Sequence, residues 1–267
     1  MAERMSTLRI WLILLLVPFT QFAVGDEPVK LRILSYNIHH AEGIDGRLDL
    51  QRIANVIREV KPDLVALQEV DQNVRRSQSV DQPAELARLT DMNVVFGANI
   101  PLQGGHYGNA VLSRFPIVKQ TNHLLPNLAD GEQRGYIEVT IEIPGVAEPL
   151  RLMATHFDHR PDERERLESA DAINARAKDQ PQQIVLLAGD MNAVPDSETM
   201  KRLGSTWTSA SAVAMSTIPV TKPTRQIDFI LYRPQDRWRV VDVKVLDESV
   251  ASDHRPIFAV IELQPAE

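Results

Sequence analysis

Five short polar segments carry the residue types needed for chemistry on a phosphate ester. Four of them follow or end a short apolar run, and the fifth stands just before the apolar residues 257–261. In chain order they are Ser35-Tyr36-Asn37, Gln68-Glu69-Val70, Thr155-His156, Gly189-Asp190-Met191-Asn192 and Ser252-Asp253-His254. Carboxylates can hold a divalent metal, and an imidazole can carry a proton to or from a reacting oxygen. This repeated placement favours a catalytic interpretation over a structural one.

Two of these segments call for a bound partner on physical grounds. Glu69 comes directly after the apolar residues 64–67, and a buried carboxylate is costly unless a cation or a donor compensates it. We therefore predict that Glu69 is a metal ligand, and a salt bridge to an arginine is the alternative. Asp190 and Asn192 stand on a tight turn, where a carboxylate and an amide can address one phosphate and its attacking water. The alternative for this pair is a simple strand-exit turn.

The elements that must position these residues are short strands with a few interspersed helices. Apolar residues at helical spacing predict a helix over residues 50–60, which Pro62 ends. Further helices are predicted at 83–90, 162–178 and 196–203, the last with Asp196 or Ser197 at its cap. Strands are predicted at 31–36, 64–67, 93–96, 109–112, 117–125, 136–143, 150–155, 184–188, 227–232, 240–246 and 257–263. Helix–strand alternation near each end and a meander in the middle favour two packed sheets covered by helices.

Composition limits the kind of site that this chain can build. The 267 residues include no cysteine, so thiolate metal sites and cysteine nucleophiles are excluded. Any metal must be held by oxygen or imidazole, which favours magnesium, manganese or calcium over structural zinc. There is no internal repeat, low-complexity tract or Gly/Ser linker, so residues 26–267 are predicted to form a single domain.

Residues 1–25 have the pattern of a secretory signal peptide. An apolar segment covers residues 10–19, and Ala23-Val24-Gly25 offers the small residues that a signal peptidase reads. The segment is shorter than the roughly 20 residues that span a bilayer, and an uncleaved membrane anchor is the alternative. The sequence therefore predicts export, either to the periplasm or out of the cell. Cleavage would leave 27 basic and 35 acidic residues, a formal charge of −8, which opposes sequence-independent binding to nucleic acid.

Taken together, the motifs resemble the endonuclease/exonuclease/phosphatase superfamily. The matching segments, which run between residues 31 and 263 in the order expected for that superfamily, are LSYNI, LVALQEV, GNAVLSRFPI, MATHFD, LLAGDMNAVPDS, IDFIL and SDHRPI. The resemblance implies a DNase I-like four-layer α/β sandwich, in which two mixed β-sheets are flanked by helices. It places the site at one rim, where strand ends meet, and implies metal-dependent hydrolysis of a phosphoester.

The resemblance also implies how metal and phosphate are held. Glu69 and Asp253 would be ligands of Mg²⁺ (Mn²⁺ is the other candidate), and Asn37 would join them and orient metal-bound water or phosphate. Asn109 and Arg134 are predicted substrate contacts, and the guanidinium fork of Arg134 suits bidentate oxygens. For Arg134 a solvated or ion-paired side chain is the alternative.

Five further residues take catalytic roles by the same resemblance. His254 would act on the water or stabilise developing negative charge, and Asp228 would fix its tautomer. Asp190 and Asn192 would activate or orient the water. His156 would be the general acid that protonates the leaving group.

Several other residues near these motifs are weaker candidates. Arg114 is expected to line the same rim, and Arg75 and Arg76 are considered as further contacts, with ion pairing as the alternative. Asp158 would either tune His156 or cap the charged helix. His39, His40 and His106 could also approach the opening of the site, but they are not assigned to it.

The sequence predicts the substrate class less directly than the chemistry. The chain shows no long basic insertion and no Lys/Arg-rich stripe with interleaved aromatic residues. A small-molecule or lipid-headgroup phosphodiester is therefore the favoured substrate. The enzyme is expected to be a monomer that can act on lipid at a membrane surface. A secreted nuclease acting on DNA or RNA is the alternative within this chemistry. A binding module that keeps the fold without turnover is the alternative of another class.

Overall fold

The structure, a computed structural model, describes residues 27–128, 131–179 and 181–265. The predicted signal peptide at residues 1–25 lies outside these ranges. The described chain contains four α-helices, which are α1 (Leu50–Val60), α2 (Gln82–Thr90), α3 (Arg164–Lys178) and α4 (Glu198–Gly204). Its strands are β1 (Val29–Asn37), β2 (Leu64–Gln72), β3 (Asn93–Leu102), β4 (Gly105–Ser113), β5 (Ile117–Leu124), β6 (Gly135–Ile141), β7 (Leu150–His156), β8 (Val185–Asp190), β9 (Thr208–Ser209), β10 (Asp228–Arg233), β11 (Trp238–Val245) and β12 (Ile257–Leu263). None of the helices in these ranges combines the length and the apolar character that a membrane crossing needs.

The strands form two six-stranded mixed sheets. The first sheet has the order β11-β12-β1-β2-β4-β3, and the second has the order β5-β6-β7-β8-β10-β9. Each sheet contains one parallel pair, β1–β2 in the first and β7–β8 in the second, among antiparallel neighbours. The second sheet is a continuous stretch of chain, whereas the first takes strands from both ends of the described chain, and Val29 of β1 pairs with Leu263 of β12.

Three apolar clusters separate four layers. One fills the space between the two sheets, a second lies between the first sheet and helices α1 and α2, and a third lies between the second sheet and helices α3 and α4. Side chains alternate along a strand, so Ile33 of β1 faces the opposite sheet while Leu34 faces the helices. This arrangement confirms the predicted four-layer sandwich of two mixed sheets flanked by helices.

The predicted elements are found in the expected order, and several strands, β1 to β4 above all, are longer than the sequence indicated. Helix α1 begins after Asp49, whose side chain accepts a hydrogen bond from Arg52 N, and ends at the left-handed Lys61 just before Pro62. Helix α4 is capped by Ser197, one of the two residues expected there. Strand β2 continues beyond residue 67 through an irregularity in its pairing with β4. The short strand β9 and a 3-10 turn at His39–Ala41 were not predicted.

Candidate active site

Polar residues continue the inner faces of the two sheets beyond the apolar core. Side chains two residues apart on a strand lie on the same face, so a residue at a strand end faces inward when an even number of positions separates it from an inward-facing apolar residue. Asn37 follows Ile33 in this way on β1, and His156 follows Ala154 on β7. Strand pairing then aligns the ends, since Asn37 pairs with Gln68, His156 with Asp190, and Asp190 with Asp228. One edge of the sandwich therefore collects polar side chains from both sheets.

Glu69 is turned toward this edge by a backbone irregularity. Its φ is 57°, in the left-handed region, and the register of β2 against β4 shifts between Leu67 and Val70. Such bulges re-aim a side chain, and left-handed non-glycine residues persist where the surrounding structure fixes them. The half-buried Glu69 carboxylate accepts a hydrogen bond from Asn37 through Oε1 at 3.0 Å.

Asn37 links the two sheets at the site. Its Nδ2 donates to Glu69 Oε1 at 3.0 Å and to Asp190 Oδ2 at 3.2 Å. Its Oδ1 accepts from the backbone N–H of His39 at 3.1 Å, and this bond fixes the orientation of the amide. The amide thus presents its nitrogen to both carboxylates. In this orientation Asn37 is a donor that positions Glu69 and Asp190, and its predicted role as a metal ligand stays a prediction.

Asp190 is a buried carboxyl group at the centre of the site. The backbone N–H of Asn192 donates to its Oδ1 at 2.8 Å, and Asn192 takes a left-handed conformation in the tight turn. Burial and the neighbouring Asp228 carboxylate raise the pKa of Asp190 to about 7. A carboxyl group with such a pKa can accept a proton from water near neutral pH.

His254 and Asp228 form a buried pair beside Asp190. His254 Nδ1 donates to Asp228 Oδ2 at 3.0 Å, and His254 Nε2 lies 3.7 Å from Asp190 Oδ2. Burial by itself would lower the pKa of His254, but the Asp228 and Asp190 carboxylates outweigh it and raise this pKa to about 10. The ring is therefore positively charged at neutral pH and can stabilise negative charge on a phosphate.

His156 is held in one tautomer by an arginine. Arg134 Nη1 lies 3.1 Å from His156 Nδ1, and because a guanidinium can only donate, Nδ1 must be the accepting nitrogen. The ring proton is then on Nε2, which lies 3.4 Å from Asp190 Oδ2, and the Asn192 amide nitrogen, 3.1 Å from the same Nε2, donates to Phe157 O instead. Burial and the Arg134 charge lower the pKa of His156 well below its ordinary value. A neutral ring keeps one N–H that can donate a hydrogen bond, and the general-acid role predicted for His156 stays a prediction.

Arg134 lies behind His156 and is engaged within the protein. Besides His156, its guanidinium contacts Glu132 Oε1 at 2.7 Å and His159 Nδ1 at 3.1 Å. The side chain is buried. These contacts agree with the ion-paired alternative and give Arg134 a positioning role for His156, while its direct contact with phosphate stays a prediction.

Asn109 lies on β4 at the level of the β2 irregularity that carries Glu69, whereas Arg114 lies just beyond the other end of β4. Asn109 is buried, its Nδ2 donates to Gly135 O at 2.9 Å, and its predicted contact with the substrate stays a prediction. Arg114 pairs with Asp63 at 2.6 Å, at the start of β2 and thus at the opposite end of the strand from Glu69. The structure therefore corrects the expectation that Arg114 lines the rim.

Asp253, Asp158 and Arg76 lie near the site and differ in whether they form ion pairs within the protein. The Asp253 carboxylate is exposed and accepts a 3.3 Å hydrogen bond from Ser252 Oγ, and its predicted role as a metal ligand stays a prediction. Asp158 pairs with Arg160 at 2.8 Å, so it neither tunes His156 nor caps α3. Arg76 pairs with the buried Asp71 at 2.8 Å.

The donor chemistry of this edge suits a divalent cation. Within the described residues, two groups have ligand atoms within 4.8 Å of one another, and these groups are His39, His40 and Glu69, and Asp190, Asp228 and His254. Burial and the Asp228 carboxylate raise the pKa of Asp190, and a cation bound nearby would favour its charged form. Asn37 joins the two groups, because its Nδ2 donates to Glu69 Oε1 and to Asp190 Oδ2.

The sequence analysis left out His39 and His40, although both stand beside Glu69. The signal that could have found them is a pair of consecutive imidazoles two residues after Asn37, at the end of the strand that neighbours β2. Alternation cannot predict their position, because the chain has left the strand and turned.

Comparisons with known proteins agree with this geometry. Residues 34–254 match the model of the Endonuclease/Exonuclease/phosphatase family. A protein of Escherichia coli strain K12 named "Uncharacterized protein YbhP" is 27% identical over 249 residues, covering 88% of this chain and 97% of its own length. The solved structure of an endonuclease/exonuclease/phosphatase from Beutenbergia cavernae superposes with a TM-score of 0.75 at 26% identity, over 89% of this chain and 72% of that one.

A more distant solved structure shares the fold. The mannosyl-6-phosphatase Bt3783 of Bacteroides thetaiotaomicron superposes with a TM-score of 0.72 at 17% identity, over 86% of this chain and 99% of that one. The family match covers most of the sequence and includes every strand end that builds the site. The chain belongs to the endonuclease/exonuclease/phosphatase family, whose members are metal-dependent hydrolases of phosphoesters.

Proposed function

We propose that this protein is an exported, divalent-metal-dependent phosphodiesterase that hydrolyses a small-molecule or lipid-headgroup phosphodiester by in-line attack of water. One observation carries the proposal. A carboxylate suited to a cation, Glu69, is joined through Asn37 to Asp190, and Asp190 lies 3.7 Å from the charged His254–Asp228 pair. Groups that bind a cation and groups that move a proton therefore meet at one edge of the fold.

The side chains divide the work of hydrolysis between them. A divalent cation, Mg²⁺ or Mn²⁺, would be held through Glu69, with Asp253 as a further ligand, and would neutralise charge on the phosphoryl oxygens. Asp190 accepts a proton from the attacking water because its pKa lies near neutrality. Asp228 keeps His254 charged and oriented, so that the imidazolium stabilises charge that develops on the phosphate. His156 supplies a further hydrogen-bond donor beside Asp190, and the backbone N–H of Asn192 holds the Asp190 carboxylate in place.

The charge distribution around the site supports a small substrate over a nucleic acid. Binding along a nucleic-acid backbone requires lysine and arginine side chains that can neutralise successive phosphates. Here Arg76 pairs with Asp71, Arg134 with Glu132, and Arg160 with both Asp158 and Glu165. The cations nearest the site are thus already compensated, and the predicted mature chain carries a formal charge of −8.

Two exposed leucines support a lipid-headgroup substrate. Leu124 is 59% exposed and Leu128 is 58% exposed. Leu124 pairs across the sheet with Gly135, which pairs with His156, so the leucine lies two strand spacings, about 10 Å, from the site. Apolar side chains at this distance can contact the acyl or other apolar part of a substrate whose phosphate is at His156 and Asp190.

The test is a hydrolysis screen of the chain from residue 26 onwards, with Mg²⁺ or Mn²⁺ and with His254→Ala as the blank. The substrates are bis-p-nitrophenyl phosphate, sphingomyelin, inositol phosphates, mannose 6-phosphate, DNA and RNA. Cleavage above the blank that is confined to small or lipid phosphodiesters supports the proposal. Efficient cleavage of DNA or RNA would instead make the protein a nuclease, and cleavage of monoesters alone would make it a phosphatase.

Export is tested separately, because it does not depend on the substrate. The full-length chain is expressed in a bacterium, and its N-terminus and its location are determined. A chain that begins at Asp26 outside the cytoplasm supports the proposed signal peptide. A chain that keeps residues 1–25 and sediments with membranes would support the uncleaved anchor.

A further inference from the structure

We propose that His39, His40 and Glu69 form a nitrogen–oxygen metal site of the zinc type, which binds Zn²⁺ or Co²⁺ more tightly than Mg²⁺. One nitrogen from each ring and one carboxylate oxygen of Glu69 lie within 4.8 Å of one another. Two imidazoles and one carboxylate are a ligand set that holds zinc in catalytic sites with a coordination position left for water. The inference rests on the proposed function only in using Glu69 as a cation ligand.

Glu42 prepares both imidazoles for a metal. His39 Nδ1 lies 3.0 Å from the backbone carbonyl oxygen of Glu42, which can only accept, so the proton is on Nδ1 and Nε2 keeps its lone pair. His40 Nε2 lies 3.2 Å from the Glu42 carboxylate, which leaves the lone pair on Nδ1. Metal-binding histidines in proteins usually donate their second ring N–H to a carbonyl or a carboxylate in this way. One residue thus orients both rings.

The free nitrogen of His40 is a buried atom without a partner. The residue is 7% exposed, and its Nδ1 has no hydrogen-bond partner within the described part of the chain. Leaving such an atom unpaired costs free energy that a bound cation would recover. Glu69 likewise uses Oε1 for Asn37, so its Oε2 is the oxygen available to a cation.

The backbone of this segment is held in an unusual conformation. The φ angles of His39, His40 and Ala41 are 45°, 43° and 63°, three consecutive non-glycine residues in the left-handed region. The turn is fixed from outside, because Gln82 Nε2 donates to His40 O at 2.7 Å and His39 N donates to Asn37 Oδ1 at 3.1 Å. Strain of this kind is concentrated at ligand-binding sites, and here it brings two adjacent rings to the same side as Glu69.

The charge around this corner is mixed, because Arg76 acts on His40 and Glu69 while carboxylates lie beside them. Arg76 is the basic side chain that approaches this corner, and its guanidinium makes two hydrogen bonds to the buried Asp71, at 2.8 and 2.9 Å. The carboxylates of Glu69 and Glu42 lie next to the two histidines and add negative charge there. Imidazole ligands favour zinc and its neighbours over magnesium, which prefers an all-oxygen shell.

The experiment measures binding in the absence of substrate. Chelator-treated protein from residue 26 onwards is titrated calorimetrically with Zn²⁺ and with Mg²⁺, and the visible absorption of Co²⁺ reports nitrogen ligands. The variants are His39→Gln and His40→Gln, and His106→Gln, an exposed histidine on β4, is the matched control. We expect one Zn²⁺ per chain, bound more tightly than Mg²⁺, and a loss of Zn²⁺ affinity of at least about 10-fold in the two variants. Mg²⁺ binding should change little.

Two results would overturn the inference. One is Zn²⁺ affinity that is unchanged in His39→Gln, the half-buried position that tolerates substitution best, while the control behaves as the parent protein does. The other is a Co²⁺ spectrum that is the same in the parent protein and in both variants. A protein that binds Zn²⁺ as expected but hydrolyses no phosphodiester would refute the proposed function and leave this site intact.

Discussion

The substitution Asp228→Asn tests the electrostatic core of the site. It keeps the shape of the side chain and an oxygen that can accept from His254 Nδ1 but removes the negative charge 3.0 Å from the ring. Both residues are buried, so little water can compensate the loss. The change therefore separates the charge of Asp228 from its role as a hydrogen-bond partner.

The expected magnitude follows from the pKa of His254. Its rise from 6.5 to about 10 is a preference of about 5 kcal/mol for the charged ring. Burial works against this preference, and Asp228, in direct contact, contributes more to it than the more distant Asp190. Loss of one nearby opposite charge lowers such a pKa by about 1–3 pH units, so His254 should titrate at roughly pH 7–9 in the variant. The loss of charge should therefore lower kcat by about 2-fold at most at pH 7, and by roughly 2- to 90-fold at pH 9, where the charged fraction falls from about 0.9 to about 0.5–0.01.

The assay combines NMR titration of the histidine ring carbons with kcat and KM measured against pH on bis-p-nitrophenyl phosphate. KM should change little, because the lost interaction acts mainly on the transition state. The matched control is Asp63→Asn, which also removes the charge of a buried, paired aspartate but at the opposite end of β2. It should lose stability and keep kcat. An unchanged kcat in Asp228→Asn at pH 9, or a His254 pKa that does not move, would refute this account of the site.

Three further perturbations test the metal, the strand packing and a buried ion pair. EDTA should abolish hydrolysis and Mg²⁺ or Mn²⁺ should restore it, and activity that survives exhaustive chelation would contradict the metal assignment. Gly189→Ala should lower the free energy of unfolding by about 1–3 kcal/mol, because a Cβ there would lie 2.0 Å from Thr155 O. The control is Gly204→Ala, whose Cβ meets no atom within 4 Å. Equal melting temperatures of the two variants in thermal denaturation would contradict this account. Burial alone would raise the pKa of Glu138, but hydrogen bonds from Arg176 and Arg151 lower it below 4.5. The stabilising contribution of Glu138 is thus complete above about pH 4.5 and is lost as the pH falls through its folded-state pKa. The difference in melting temperature between the parent protein and Glu138→Gln should therefore shrink on acidification. A difference that grows would show that the pKa of Glu138 is raised, not lowered, by folding.

The sequence predicted the layers and the strand ends because these depend on local alternation. Apolar residues at every second position place Ile33 and Ala154 in the inter-sheet core, and the same alternation carries Asn37 and His156 to the edge. Residues at strand ends were therefore assigned to the site without knowledge of the pairing partners.

What the sequence could not predict depends on contacts between distant segments. Arg114 was placed at the rim with Asn109, but β4 runs antiparallel to β2, so the five residue steps from Asn109 to Arg114 carry Arg114 about 17 Å toward the other end. The tautomer of His156 depends on Arg134, which reaches it from the start of β6. The left-handed turn at His39 and His40 depends on Gln82, whose side chain comes from α2.

The pairing of the first strand with the last has a consequence for how the protein is made. Val29 and Leu263 are neighbours in the first sheet although their numbers differ by 234. A ribosome completes β1 long before it adds β12, and the His254 segment arrives only with that last strand. Contacts so far apart along the chain form slowly, and the nascent protein cannot close its first sheet or assemble its site until synthesis is almost complete. A translocation channel that requires an unfolded chain could therefore engage this protein before its first sheet has closed.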